Sequence, residues 1–208
     1  MEIMREYLCR YTACKQAGLD SACWETAQAA EIDQYPWKSV ERPAAPKVLV
    51  RLLHTDAALF VRFDIWEKNI RAVYDKPNAP VCRDSCVEFF FCPCAADERY
   101  FSFEINPLGA LLIGLGTGGS DIIYLKDDRR LFRIETLRER DFWQVAYTIP
   151  FAFIRRYYSD ISGEMRGNFM KCADRSKTPH HGCWNRIGTE IPVFHVPQYF
   201  GKIVLADE

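Results

Sequence analysis

The chain has 208 residues, of which 49% are hydrophobic, and its 27 basic residues nearly balance 28 acidic ones. This length can bury a sizeable core, so we expect one domain over residues 1–208, and the absence of any lysine or arginine block argues against a nucleic-acid partner. No apolar run approaches a membrane span, and the start "MEIMREYLCRYTACKQ" is charged where a signal peptide is apolar, so we expect a cytoplasmic protein without a membrane partner.

Two short stretches are predicted to be helical. The first, "DSACWETAQAA" at residues 20–30, opens with an aspartate that can cap a helix, and the second, "PFAFIRRYY" at 150–158, begins at a proline. Between them, "VERPAAPK" at 40–47 is predicted to be a stiff connector that leads into the first strand of the core.

Short alternating runs, separated by turn residues about every dozen positions, fill most of the chain. This rhythm is typical of an all-β fold. We therefore predict an antiparallel β-sandwich with minor short helices. The predicted strands are 48–54, 59–66, 85–92, 99–106, 110–114, 122–125, 131–137, 142–149, 167–173 and 200–205.

The nine cysteines are an odd number in a chain without a recognisable export signal, which indicates reduced and mostly buried thiols. Four of them lie in "PVCRDSCVEFFFCPC" at 80–94. If 85–92 is a strand, Cys86 and Cys92 are roughly 20 Å apart, which excludes a four-cysteine zinc site. Cys92 and Cys94, with Cys183 or the histidines His180 and His181, remain the weaker alternative of a metal or redox site.

Strands 85–92 and 99–106 each have an apolar face and a mixed face. The apolar set, which we assign to the core, is Val87, Phe89, Phe91, Phe101, Phe103 and Ile105. The mixed set is Cys86, Glu88, Phe90, Cys92, Tyr100, Ser102, Glu104 and Asn106. One interpretation of the mixed face is a solvated sheet surface, and the other is a sugar platform of aromatic rings and fixed polar groups. Glu88 favours the platform, because a carboxylate in apolar company usually has a specific partner.

The stretch "GLGTGG" at 114–119 formally fits a dinucleotide-binding pattern. Such a loop must open a helix, whereas the strand-like "SDIIYLKDD" follows here. We therefore predict a glycine-rich hairpin or loop without a nucleotide.

Seven blocks in order resemble the family 9 carbohydrate-binding modules and their relatives on the same DOMON-like β-sandwich. The resemblance runs from about residue 18 to 205, and in "LDSACW" an aspartate precedes a packed tryptophan by four residues, as in that family. It implies a β-sandwich that binds sugar between two tryptophans without cleaving it, often with structural calcium. The blocks are "LDSACW", "DSCVEFFFCP", "YFSFEINPLG", "FWQVAYTIPF", "NFMKCAD", "HHGCWNRI" and "PQYFGKIVL".

Carried over residue by residue, the resemblance assigns Glu88 as a sugar-binding carboxylate and Trp184 as one stacking tryptophan. The second aromatic falls at Cys82, which has no ring, and an arginine of the family falls at Glu104. Trp66 or Trp37 offers a substitute ring, with ordinary packing as the alternative for each. His195 is expected to be structural, and His180 and His181 to lie near Trp184 in the ligand loop.

We predict carbohydrate binding without catalysis, with a sugar stacked on Trp184 and hydrogen-bonded by Glu88, Glu104 and Asn106. Tyr100 and Trp66 complete the predicted ligand-binding set. One alternative is a glycan-processing enzyme in which Glu88 and Glu104 act as acid and base. The other is a sandwich that has lost its sugar site and serves as an interaction protein.

The expectation of structural calcium rests on the resemblance alone. Four aspartates offer hard oxygen ligands but lack the fixed spacing of a calcium loop. They are Asp56, Asp64, Asp84 and Asp174.

Overall fold

The computed structural model describes residues 4–37, 45–94, 96–126 and 129–207. Within these ranges the chain forms thirteen strands. They are β1 (Glu6–Tyr11), β2 (Ala29–Glu31), β3 (Lys47–His54), β4 (Ala58–Trp66), β5 (Cys86–Cys92), β6 (Tyr100–Ile105), β7 (Leu111–Gly116), β8 (Ile123–Tyr124), β9 (Glu135–Arg138), β10 (Phe142–Pro150), β11 (Glu164–Cys172), β12 (His181–Cys183) and β13 (Gly201–Leu205).

The helices of the described residues are short. The α-helices are α1 (Arg129–Phe132) and α2 (Phe151–Ile154), and the 3₁₀ helices are Ala22–Thr26, Val81–Arg83, Gly119–Asp121 and Pro197–Tyr199. None of them has the length and apolar character to cross a membrane.

Two sheets share β1. Sheet 1 has the order β8-β7-β6-β5-β11-β13-β1, with β12 added to β11, and sheet 2 has the order β1-β3-β4-β10-β9, with β2 added to β3. The first half of β1 pairs with β13 and its end pairs with β3, both in parallel, while the other pairings of the described strands are antiparallel. The predicted all-β sandwich with minor helices is confirmed, with β1 as a parallel link between its sheets.

The core lies between the two sheets and contains the predicted apolar face of β5 and β6. Phe89 and Phe91 stack with their ring centroids 4.7 Å apart and face aliphatic and aromatic side chains of sheet 2. Each fully buried ring of this kind stabilises the fold by about 1.5–3 kcal/mol. The facing residues of sheet 2 include Val50, Leu52, Val61, Phe63, Val145 and Tyr147.

The mixed face of β5 and β6 is buried as well. All residues of both strands are buried, because residues 187–200 and Trp37 form a second layer over this face. The interpretation of a solvated sheet surface is therefore wrong. Side chains of this layer and of the sheet face form a small cluster, which consists of Trp37, Phe90, Cys92, Tyr100, Met170, Cys183, Ile187 and Phe200.

Local structure departs from prediction in three places. The predicted helix at 20–30 shrinks to the 3₁₀ turn Ala22–Thr26, whose start has no side-chain cap. The predicted strand at 131–137 begins instead as α1, and Arg133 with φ 47° turns the chain before β9. The charged β1 and the short β2 and β12 were not predicted, and the connector at 40–47 lies mostly outside the described residues.

The glycine-rich stretch forms the predicted hairpin. It continues β7 into a turn where Gly118 and Gly119 have φ of 122° and 61°, and β8 then pairs back on β7. These positive φ values favour glycine. The hairpin places Tyr124 over the outer face of sheet 1.

Candidate functional site

A cavity of about 380 Å³ opens on the outer face of sheet 1. Its floor is made by side chains from β5, β6, β7 and β11, and its walls come from the hairpin and from three further segments, 80–82, 174–181 and 192–195. The floor residues are Glu88, Glu104, Leu112 and Cys172, and the wall residues are Pro80, Cys82, Tyr124, Asp174, His181, Pro192, Val193, Phe194 and His195.

Two glutamates lie side by side on the floor. Glu88 of β5 and Glu104 of β6 are directly opposite in the antiparallel register, and their side chains are only 3% and 5% exposed. The Cβ atoms of such a pair lie about 4.5–5.5 Å apart. Two carboxyl groups at this distance in a buried site cannot both ionise without a large cost.

The surroundings raise the pKa of both carboxyls. Burial raises the pKa of Glu88 to about 7, against the lowering effect of the Cys172 thiol and the Lys171 ammonium. Burial, and then the charges of Glu88 and Asp174, raise the pKa of Glu104 well above its usual value. The pair therefore keeps a proton near neutral pH, so it both donates and accepts hydrogen bonds.

Two thiols lie beside Glu88. The Cys172 thiol donates to Glu88 Oε1 at 3.0 Å, and Cys86 lies opposite Cys172 in the register of β5 and β11. A hydrogen bond with Cys86, together with burial, raises the pKa of Cys172 well above its usual value, and burial raises that of Cys86 to about 12. These surroundings favour the neutral form of both thiols over the nucleophilic thiolate.

The cavity walls supply rings. Tyr124 is largely exposed, and the Phe194 ring lies 6.1 Å from the ring of His181. His195 Nδ1 lies 2.9 Å from the Tyr100 hydroxyl, and burial lowers the pKa of His195, which is neutral at pH 7. Tyr124 and Phe194 were missed in the sequence, because only the folded hairpin and the 192–195 loop bring them to the glutamates.

Trp184 does not line this cavity. Its side chain is 4% exposed and belongs to the main core, with its ring 5.3 Å from that of Phe169. A Cβ added at Gly201 would lie 2.6 Å from the Trp184 ring, so the glycine is needed for this packing. The structure does not bring Trp184 and Glu88 into one cleft, and the predicted stacking on Trp184 has no exposed ring to use.

Asn106 and Tyr100 make structural hydrogen bonds outside the cavity. The Asn106 amide donates to Asp84 Oδ2 at 2.9 Å, and its oxygen accepts backbone N–H groups of Leu108 and Ala110. Asn106 thus holds the turn between β6 and β7 and is fully buried. Tyr100 is buried beneath the second layer, where its hydroxyl contacts His195. Neither residue lines the cavity.

Trp66 lies on the other sheet. It is 43% exposed on the outer face of β4, where its ring packs 5.1 Å from Phe142 and under the Lys47 ammonium. Trp37 is buried in the layer over sheet 1, and its indole donates to Thr189 O. Of the six predicted ligand-binding residues, the cavity contains Glu88 and Glu104.

The described residues show no cluster of oxygen ligands suited to calcium. Asp64 accepts hydrogen bonds from Arg51, Arg62 and Gln144, and Asp84 accepts them from backbone N–H groups and Asn106. The group of three ligand atoms found in the described chain is Cys86, Glu88 and Cys172. Its two sulfur atoms are soft ligands, which calcium does not take. The expectation of calcium therefore rests on the resemblance.

Comparisons with known proteins point to one family. The sequence profile of carbohydrate-binding family 9 matches residues 19–205. A crystal structure of a candidate carbohydrate-binding protein from Bacteroides uniformis is similar, with 26% identity and a TM-score of 0.87, over 98% of this chain and 100% of that one. A search of curated proteins gave no match.

Two further solved structures share the fold at lower identity. Both are a family 9 carbohydrate-binding module from Caldicellulosiruptor kristjanssonii, one in complex with cellotriose and one with glucose. Each is 13% identical to this chain, with a TM-score of 0.68, and the match covers 98% of this chain and 95% or 97% of the other.

Proposed function

The chain belongs to carbohydrate-binding family 9, and on this premise we propose that it binds a mono-, di- or oligosaccharide around Glu88 and Glu104 without cleaving it. One observation carries the proposal: two buried carboxyls on rigid neighbouring strands face a cavity with aromatic walls. Sites that recognise small ligands combine an apolar lining with a few fixed polar groups in this way.

The chemistry of the cavity suits hydroxyl-rich ligands. A carboxyl pair that keeps a proton offers both a donor and acceptors, which is what a sugar hydroxyl needs. Tyr124 and Phe194 present flat apolar faces for the C–H side of a pyranose ring. In this arrangement they take the place of the stacking expected from Trp184.

The neighbouring structures suggest the first probes. The Caldicellulosiruptor module was solved with glucose and with cellotriose, so these two sugars test whether the present cavity accepts a single unit or a chain.

The same geometry supports binding over catalysis. Acid–base hydrolysis needs two carboxyl groups whose environments separate their pKa values. Here burial raises the pKa of both Glu88 and Glu104, so the surroundings hold neither of them ionised as the base or nucleophile of such a pair must be. Release of reducing ends from a glycan panel separates the two functions, and we expect affinity without release.

The alternative of an interaction protein has one observation in its favour, since Trp184 is enclosed by protein. The open cavity around Glu88 speaks for a retained ligand site. A glycan array that stays blank would support the interaction protein and overturn the sugar site.

Isothermal titration calorimetry with glucose and cellotriose tests the proposal directly. Glu88→Gln removes the acidic group at nearly constant volume, and we expect affinity to fall about tenfold or more, because hydrogen bonds to charged groups contribute about 1.5–3 kcal/mol. Phe194→Ala should weaken binding by removing a wall. Trp66→Ala, on the other sheet, is the matched control, and an equal loss there would contradict the assignment.

A further inference from the structure

Building on the proposed function, we propose that the cavity selects a sugar with a positive charge, an amino sugar, over neutral and acidic sugars. Three carboxyl groups, those of Glu88, Glu104 and Asp174, line one cavity, and its described lining contains no lysine or arginine. Ligand charge is therefore the property that this site is best placed to distinguish.

The acidic groups in the cavity differ from other buried carboxylates of the described chain. Asp64 is paired with Arg51 and Arg62, and Asp84 with Arg71. Neither Glu88 nor Glu104 has a described ion pair within 4.0 Å. Burial of an acidic pair without a cation is costly, so a cationic ligand gains what the protein itself leaves uncompensated.

The nearby cations do not fill this role. The Lys171 ammonium is bound to Glu67 and to the carbonyl oxygen of Cys172. His195 is held neutral by burial, and His181 Nε2 lies 2.9 Å from Asp174 Oδ1 at the wall. The floor between Glu88 and Glu104 therefore remains open to a donor from the ligand.

A primary ammonium matches this floor. It has three N–H donors, and the two floor carboxyls offer enough acceptors to take them once the proton that the pair keeps is released to solvent. The faces of Tyr124 and Phe194 are favourable to a cation as well as to a sugar ring. A uronic acid would bring a fourth carboxyl into the same cavity and should be rejected.

Calorimetry at pH 7 with four monosaccharides isolates charge as the variable: glucosamine, glucose, N-acetylglucosamine and glucuronic acid. We expect glucosamine to bind at least about tenfold more tightly than glucose, because its hydrogen bonds are charge-assisted. N-acetylglucosamine keeps the nitrogen without the charge and should lose this gain. Glucuronic acid should show no binding. EDTA in every sample removes metal ions that the neighbouring thiols can bind.

Variants test whether the floor is the source of the preference. Glu104→Gln should lower glucosamine affinity more than glucose affinity and so bring the ratio of the two near one. Asp174→Asn, at a more exposed position, is the second variant and should reduce the ratio less. Glu98→Gln removes an exposed carboxyl outside the cavity and should leave the ratio unchanged.

The outcomes are distinct. Equal affinity for glucose and glucosamine in the unmodified protein overturns this inference and leaves the sugar site standing. A preference that survives in both Glu104→Gln and Asp174→Asn also overturns it. If none of the four monosaccharides binds and cellotriose does not bind either, both the inference and the proposed function are overturned. Binding that appears only with added zinc and without EDTA shows a metal-mediated contact and contradicts the direct ammonium contact.

Discussion

Two buried glutamates, Glu67 and Glu88, have the same exposure of 3% and opposite surroundings. Glu67 accepts hydrogen bonds from Ser85 and from the Trp143 indole, both at 2.8 Å, and its Oε2 lies 3.2 Å from the Lys171 ammonium. Glu88 has the Cys172 thiol as its described hydrogen-bond donor and faces a cavity. At equal burial, the protein itself supplies the hydrogen-bond donors of Glu67, whereas Glu88 has acceptor capacity left that suits a ligand.

One strand serves both regions. Successive side chains of β11 point to opposite faces, so Lys171 reaches Glu67 on the inner face while Cys172 meets Glu88 on the outer face. The sheet therefore places the Lys171 ammonium beside Glu67 and a weak thiol donor beside Glu88 at the cavity. The contacts of the two regions are separate, and the Lys171 charge links them because it also lowers the pKa of Glu88.

The largest expected effect is a loss of stability in the region of Glu67. Lys171→Met leaves the Glu67 carboxylate buried without its cation, and we expect the free energy of unfolding to fall by about 3–5 kcal/mol. Urea denaturation measures it. Adding Glu67→Gln in the same chain should restore part of the loss, because the uncompensated charge is then gone. A loss below about 1 kcal/mol would show that Lys171 does not compensate Glu67.

A smaller effect is expected at Glu88, as a dependence of stability on pH. Glu88 ionises near pH 4.5 in the unfolded chain and near 7 when folded, so the folded state binds more protons between these values. The contribution of Glu88 to the free energy of unfolding is full below pH 4.5 and is lost as the pH rises through 7. This loss is about 3 kcal/mol.

Glu88→Gln should remove the part of this slope that Glu88 contributes. Glu104 contributes in the same direction and remains in the variant, because burial raises its pKa as well. His180 acts in the opposite direction, because burial lowers its pKa to about 3 and its contribution is lost as the pH falls below 6.5. The quantity to measure is therefore the difference in unfolding free energy between the two proteins, followed from pH 4.5 to 8. A flat difference would contradict a buried, raised Glu88.

A third test asks to which region Trp184 belongs. Gly201→Ala places a methyl group 2.6 Å from the Trp184 ring and 2.8 Å from the carbonyl oxygen of Arg5, and overpacking of this kind costs about 1–3 kcal/mol of stability. If Trp184 is structural, the melting temperature should fall while sugar affinity stays the same. A variant with normal stability and reduced affinity would instead return Trp184 to the ligand site.

The sequence alone predicts some of this contrast. The period of two along β5 and β6 places Phe89 and Phe103 inward and pairs Glu88 with Glu104, because backbone geometry alone determines which side chains share a face. The resemblance pointed independently to Glu88.

Other features depend on contacts between distant parts of the chain. Lys171 and Glu67 are 104 residues apart in the sequence. Lys171 looks like an ordinary charge within β11, and Glu67 like an ordinary charge just after β4. The layer of residues 187–200 is irregular apart from one 3₁₀ turn, so no periodicity in the sequence signals that it covers a sheet and leaves Phe194 at a cavity. The burial of Trp184 follows from its close approach to Gly201, which spacing does not reveal.

The smallest effect concerns the walls of the cavity. Phe194→Ala should cost about 0.5–1.5 kcal/mol of sugar-binding free energy, because it removes one aromatic face while Glu88 and Glu104 keep their positions. Its ring also packs 5.7 Å from that of Trp37, so a thermal melt must accompany the calorimetry. Phe194→Tyr retains the ring face and should restore the affinity. If alanine and tyrosine weaken binding equally, the wall acts through the position of the loop, and the contrast between the two regions then rests on the glutamates alone.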